Sequence, residues 1–186
     1  EANNLDVHCY RGDENDVLDR FYKAAKPHNP DYVVRLTSDC PLIDSYLMDE
    51  IIEATINSNV DYCSNTLIES YPDGQDVEVF TFSSLKKAWE RSYLNSEREH
   101  VTPYMKKNFR TLNIHSNNME FNKVRMTVDE PNDFEVIKKL TDSLGFNDSW
   151  LNYTKLYLKD ITISSSNNSI KRNEGYIKSI KNDLNK

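Results

Sequence analysis

Two aspartates stand out by type and setting. Asp39 closes the stretch Tyr32-Val33-Val34-Arg35-Leu36-Thr37-Ser38-Asp39-Cys40-Pro41, and Asp129 closes Val124-Arg125-Met126-Thr127-Val128-Asp129. Each follows an apolar run, and proline stands two residues beyond each, at Pro41 and Pro131. Proline has no N–H for a sheet ladder, so neither run can continue through it. Carboxylates just past strand ends lie where open α/β sheets bind ligands. Two such oxygen ligands suit Mg²⁺, which keeps several waters and takes the rest of its shell from substrate phosphates. The metal then neutralises charge on a phosphoryl group under attack. Two unrelated loop aspartates, each capping a nearby turn or helix, would leave the same pattern.

Other groups invite chemistry less directly. Tyr71-Pro72-Asp73-Gly74-Gln75-Asp76 is a turn in which proline presets one dihedral angle and glycine accepts a positive one. Asp73, Gln75 and Asp76 could line a sugar pocket there, or serve an ordinary hairpin. Ser96-Glu97-Arg98-Glu99 has the form of a capping box; Glu99 and the adjoining His100 could bind substrate, or Glu99 could simply complete the cap. Arg35 and Arg125 lie on the polar sides of strand patterns, where a phosphate, a carboxylate or a structural ion pair would each suit them. His8, His28 and His115 have no convincing partners. No GxGxxG and no P-loop lysine is present, so a dinucleotide or Walker-type site is unsupported. The absence of a His/Cys cluster argues against zinc.

Composition narrows the class. The 186 residues suffice for one substantial core, and a charged fraction of 28% with 38% hydrophobic residues describes a soluble globular chain. The net charge of −7 and pI near 5.1 exclude a broad nucleic-acid or anionic-membrane surface. No apolar run is long enough to span a bilayer and no signal peptide is evident. Cys9, Cys40 and Cys63 are odd in number and lack CxxC spacing, as expected of reduced thiols in a cytoplasmic protein. A catalytic role for Cys40 lacks a partner histidine.

The elements that must hold these groups follow from periodicity. Leu5-Asp6-Val7-His8-Cys9-Tyr10 reads as an interior strand, and 16–25 as a helix with Val17, Leu18, Phe21 and Ala25 on one face, capped by Asn15 or Asp16. The run 32–36 reads as a parallel strand covered on both faces. A helix opened by Asp44 and Ser45, carrying Met48, Ile51, Ile52 and Thr55, leads to a strand at 60–64. Strand, helix, strand, helix, strand argues for a doubly wound α/β sheet. Beyond the turn, 76–82 and 124–129 alternate as half-exposed strands. Ser83 or Ser84 caps a helix carrying Leu85, Ala88 and Trp89. Another helix begins at Asn132-Asp133, carries Phe134, Ile137, Leu140 and Leu144 on one stripe, and ends at Gly145. A last helical pattern covers 153–158. Ser164-Ser165-Ser166-Asn167-Asn168-Ser169 reads as a polar linker before a lysine-rich tail, giving one α/β domain over 1–163 and a linker and tail over 164–186.

Five ordered blocks resemble a known family. They are 16–21, 35–44, 72–80, 97–104 and 127–134, and Arg172-Asn173-Glu174-Gly175-Tyr176 fits as well. Together they resemble the spore coat polysaccharide biosynthesis protein F family of cytidylyltransferases, relatives of the CMP-sialic-acid and CMP-Kdo synthetases. The resemblance implies a Rossmann-like nucleotide-diphospho-sugar-transferase fold with a mostly parallel central sheet flanked by helices. It implies CTP and an acidic sugar as substrates, and Mg²⁺ held at the positions of Asp39 and Asp129. By the same similarity the Pro72–Asp76 turn and Glu99-His100 would flank the sugar. Because family members are also labelled glycosyltransferases, use of a ready-made sugar nucleotide stays open, as does a non-enzymatic assembly module. A homodimer is compatible with the sequence, which does not set the oligomeric state. In one respect the chain departs from the pattern. Nothing in 1–11 matches the strand and Arg/Lys loop that cradle the triphosphate in such enzymes, whose donors would stabilise the leaving pyrophosphate. The expectation is that sequence upstream is missing and that this chain alone has little activity.

Overall fold

The computed structural model describes residues 2–184. Glu1 and the end of the lysine-rich tail, Asn185 and Lys186, lie outside the described residues. The chain is α/β, with four strands in a mixed sheet flanked by helices. β1 (Tyr32–Arg35), β2 (Tyr62–Ser64), β3 (Glu78–Thr81) and β4 (Thr111–Asn113) stand in the order β1-β3-β2-β4. β2 and β4 are parallel, with Cys63 opposite Leu112. By compactness the chain divides into two units, one of 1–33, 80–109 and 173–186 and one of 34–79 and 110–172, so the division runs through β1 and β3.

The first unit is helical. α1 (Val17–Ala25) is capped by Asp16, whose carboxylate accepts from the Asp19 amide at 3.0 Å. It buries Leu18 and Tyr22, and the Tyr22 ring stacks on Trp89 with centroids 4.3 Å apart. α3 (Phe82–Arg91) buries Leu85 and Ala88 as its spacing predicts, but its cap is Thr81 rather than Ser83 or Ser84. The strand runs one residue short of the expected boundary, which puts the Thr81 hydroxyl in reach of the Ser84 amide. α4 (Asn95–His100) contains the expected capping box instead of being opened by it. Its first amides, of Asn95 and Ser96, are met by the Asp183 carboxylate at 3.1 Å each. Asp183 belongs to α9 (Glu174–Leu184), so the tail is a helix docked on α4. α5 (Pro103–Asn108) follows. The strand expected at 5–10 does not form: a 3-10 turn over Ala2–Leu5 gives way to irregular chain, with Leu5, Val7 and Tyr10 all exposed.

The second unit holds an apolar cluster. α2 (Ser45–Ser58) is capped by Asp44 through the amides of Tyr46 and Leu47 and buries Leu47, Ile51 and Thr55. α6 (Pro131–Leu144), α7 (Trp150–Lys159) and α8 (Ile161–Ser164) close over Leu42, Val124 and Met126, with Val136, Ile137, Leu140, Tyr153, Tyr157 and Ile163. Phe134, expected on the α6 stripe, is exposed, because the helix turns Asp133 and Val136 inward instead. Gly145 ends α6 at φ 79°, as expected.

Three readings of the sequence need revision in this unit. β1 is an edge strand, half-buried along its length, and not a strand covered on both faces. The 124–129 segment is extended but joins no ladder beyond a parallel bridge between Arg125 and Asp73. Its remaining backbone groups bond the turn and the loop after β1, through Asp73 N to Val124 O and Val128 N to Asp39 O. Both its faces are buried: Val124 and Met126 are 0% exposed, and Arg125 and Thr127 on the opposite side are 6% and 3% exposed. Finally, 164–169 is no free linker, since Asn167 is 0% exposed and fully engaged.

Candidate active site

The Tyr71–Asp76 turn meets the 124–128 segment edge to edge. Asp73 N donates to Val124 O at 2.9 Å, Met126 N donates to Asp73 O at 2.7 Å, and Gln75 N closes the turn on Pro72 O. Gly74 makes this approach possible. Its φ is +103°, and a Cβ there would stand 2.6 Å from the Met126 carbonyl carbon and oxygen. Gln75, fully buried, ties the turn to the start of α2: its amide donates to Leu42 O at 2.6 Å and accepts from Asp44 N at 3.0 Å. Both ends of that side chain are spent on backbone.

Arg125 is the hub. Its guanidinium grips Asp133 with two hydrogen bonds of 2.9 Å and gives one of 2.8 Å to Asp73 and one of 2.8 Å to Asp129. Asp133 also accepts from the amides of Asp129 and Glu130 and from Asn167 Nδ2 at 2.8 Å. Burial alone would push this carboxyl up. The Arg125 bonds, with those from Asn167 and the two amides, outweigh burial and hold it below the ordinary carboxylate range. Against burial, Asp133, Asp129 and Asp73 push Arg125 upward, so the hub stays charged.

Asp39 reaches the same segment from the loop after β1. Its Oδ2 accepts from Thr127 Oγ1 at 2.9 Å, and its backbone oxygen accepts from Val128 N at 2.8 Å. Asp129 follows Val128 directly. Its Oδ2 takes Arg125, and its side chain is 57% exposed. Among the described residues nothing bonds Oδ1 of Asp39 or Oδ1 of Asp129. Cys40 reports the company it keeps: its thiol is pushed up to about 12, first by burial, then by Asp39, Asp76 and Asp73, against a hydrogen bond from Thr37.

Arg172 closes the far side of the turn. It donates to Tyr71 O at 3.2 Å and to Asp76, and its Nε stands 3.6 Å from Asp73 and 3.7 Å from Glu69. Four aspartates, 73, 76, 129 and 133, thus converge on two arginines, and Asp39 joins the same segment through Thr127. Asp76 shows the imbalance. Burial first, then Asp73, Glu78 and Glu69, push its carboxyl up to about 7 against the pull of Arg172. Such a surplus of carboxylate suits a cation. No group of three or more His, Cys, Asp or Glu side chains among the described residues is arranged to hold a metal. Asp39 and Asp129 each keep one oxygen unbonded among the described residues, a ligand type that Mg²⁺ combines with water and phosphate.

The remaining predicted residues are placed differently. Arg35 pairs with Glu78 at 2.5 Å, and buried Glu78 also accepts from the Tyr62 hydroxyl at 2.6 Å. Glu99 and His100 lie in the first unit, where they meet Ser179 of α9: Ser179 Oγ donates to Glu99 at 2.6 Å and stands 3.0 Å from His100 Nε2. Val101, just beyond, is held at φ 70° with the Thr102 amide bonded to His100 O, a strained three-residue turn. Asp133, Asn167 and Arg172 were not singled out for a role by the sequence reading. For Asp133 and Arg172 the signal lay in the ordered blocks, whereas Asn167 sits in a serine- and asparagine-rich run that gives none.

Comparison with known proteins agrees with this architecture. The chain is similar to the protein MJ1063 of Methanocaldococcus jannaschii, 39% identical over 143 residues covering 75% of this chain and 58% of the relative. It is 31% identical to the spore coat polysaccharide biosynthesis protein SpsF of Bacillus subtilis over 153 residues, covering 76% and 62%. The chain therefore spans about three fifths of the length of these curated relatives. A solved cytidylyltransferase structure from Leptospira borgpetersenii superposes with a TM-score of 0.81 at 32% identity, covering 87% of this chain and 70% of that one. Residues 1–166 match the family described as cytidylyltransferase, and the chain belongs to that family.

Proposed function

We propose that the complete protein transfers the cytidylyl group of CTP to an acidic sugar for surface polysaccharide synthesis, with Asp39 and Asp129 holding Mg²⁺. The observation that carries this reading is the attachment of Asp39 to the segment that ends in Asp129, through Val128 N to Asp39 O and Thr127 Oγ1 to Asp39 Oδ2, with Oδ1 of each aspartate unbonded among the described residues. Family membership supports the nucleotidyl transfer, and the name of the Bacillus relative supports the polysaccharide context.

In the proposed reaction a sugar hydroxyl attacks the α-phosphorus of CTP. A new P–O bond forms, the bond to the β-phosphate oxygen breaks, pyrophosphate leaves and the hydroxyl proton is released. Mg²⁺, when bound, would offset phosphate charge. Arg125 keeps Asp129 and Asp73 in place, and Thr127 orients Asp39. Asp73 and Asp76 edge the turn assigned to the sugar. Gln75 and Arg35 act through the backbone and the strand they hold.

Turnover of CTP by the complete protein, with and without Mg²⁺, tests the reading. Pyrophosphate should appear only with the metal, and Asp39→Asn should cut the rate by about 100-fold or more. Undiminished turnover in that variant would remove the metal assignment. Release of free nucleotide from a sugar nucleotide would instead mark a glycosyltransferase.

A further inference from the structure

Arg172 lies far along the chain from the turn it serves, yet its fork spans that turn from end to end. One nitrogen donates to the carbonyl of Tyr71, where the turn begins; another meets Asp76, where it ends. The third stands between Asp73 and Glu69. The side chain is 12% exposed. A planar guanidinium can serve several acceptors at fixed angles, which an ammonium cannot. Arg125 grips Asp73 from the other side at 2.8 Å. The turn is therefore held between two arginines supplied by different parts of the chain.

The charges facing Asp76 are Asp73, Glu78, Glu69 and Arg172, with the Cys40 thiol neutral beside them. Of these Arg172 alone is positive. It is the strongest influence opposing burial at Asp73 as well as at Asp76. Without it, two half-buried carboxylates would face each other with Arg125 committed to Asp133, Asp129 and Asp73.

We infer that Arg172 is a positioning residue of the proposed active site, fixing the Tyr71–Asp76 turn and supplying the countercharge for Asp76. This rests on the reading of the turn as part of the substrate site. Arg172→Gln removes both fork and charge; Arg172→Lys keeps the charge and loses the fork.

The primary test is a carboxyl titration by ¹³C-aspartate NMR on the complete protein, with Asp76 assigned from Asp76→Asn. In Arg172→Gln the Asp76 midpoint should rise by about one pH unit or more, and in Arg172→Lys, which keeps the charge, most of that rise should be absent. If Arg172→Gln does not fold, Arg172→Lys is compared with wild type for the order of the turn through its amide exchange, which should quicken at 73–76. An unmoved Asp76 midpoint, or unchanged exchange in the lysine variant, overturns the inference. Rates of CTP turnover should follow, with the acidic limb of the pH profile displaced upward in Arg172→Gln. A wild-type protein that turns over no CTP would sink the proposed function, while the titration would still decide the role of Arg172.

Discussion

The cluster around Arg125 and the cluster around Ser179 are built alike and left in different states. Each gathers polar groups from remote stretches of sequence, in the second unit and the first unit respectively. Around Arg125, aspartates outnumber arginines, and Oδ1 of Asp39 and Oδ1 of Asp129 have no hydrogen-bond partner among the described residues. Around Ser179, one hydroxyl serves both Glu99 and His100, the Tyr176 ring stands edge-on to the imidazole at 5.0 Å, and Asp183 meets the free amides of α4. The first arrangement stores unbalanced charge that a cation can satisfy. The second closes on itself and fastens a helix.

If that contrast is right, substitutions should act unequally. The largest effect is expected at the buried pair: Asp133→Ala leaves Arg125 partly unpaired in the interior and should cost about 3–5 kcal/mol in urea unfolding. A cost comparable to that of a surface ion pair would erase the distinction. Next comes Gly74→Ala. The added Cβ meets the Met126 carbonyl at 2.6 Å on a left-handed backbone, so a loss of about 3 kcal/mol is expected, together with weakened Asp73–Arg125 pairing visible in the arginine side-chain NMR signals.

The pH dependence sharpens the comparison further. Asp76 is raised to about 7, chiefly by burial. The folded chain therefore keeps a proton that the unfolded chain gives up near an ordinary carboxylate value of about 3.9. The stability this contributes is whole below that value and is lost as pH rises through about 7. Asp76→Asn cannot ionise. The melting temperature of the wild type relative to Asp76→Asn should thus fall steadily between about pH 4 and pH 7 and level off above. A constant gap would show that the carboxylate excess is already neutralised. The smallest effect belongs to the self-contained cluster: Asp183→Ala should cost about 1 kcal/mol, the ordinary value of a lost helix cap, with faster amide exchange at Asn95 and Ser96 and no change in metal binding.

Much of the second unit could be read from residue types. Asp44 as a cap, the Pro72–Gly74 turn and the end of α6 at Gly145 all rest on local chemistry, and each stands where expected, whereas α6 starts at Pro131, one residue before the expected Asn132. What local pattern could not show was which face of 124–129 met what. Alternation marks Arg125 and Thr127 as polar-side residues, but period two cannot distinguish water from a buried aspartate cluster. Asn167 was hidden for the complementary reason: a serine- and asparagine-rich run looks solvated until a tertiary partner claims one member. Leu5, Val7 and Tyr10 misled in the other direction, since apolar residues at strand spacing make a strand only where a neighbour offers a ladder.

The cysteines hold a practical consequence. Cys9 is exposed, while Cys40 and Cys63 are buried. The Cys40 thiol sits at about 12 among burial and carboxylates, and burial raises Cys63 too. Only thiolates react quickly with maleimides. A fluorophore offered near neutral pH should therefore attach at a single position, giving a singly labelled protein for distance and anisotropy measurements without any engineered residue.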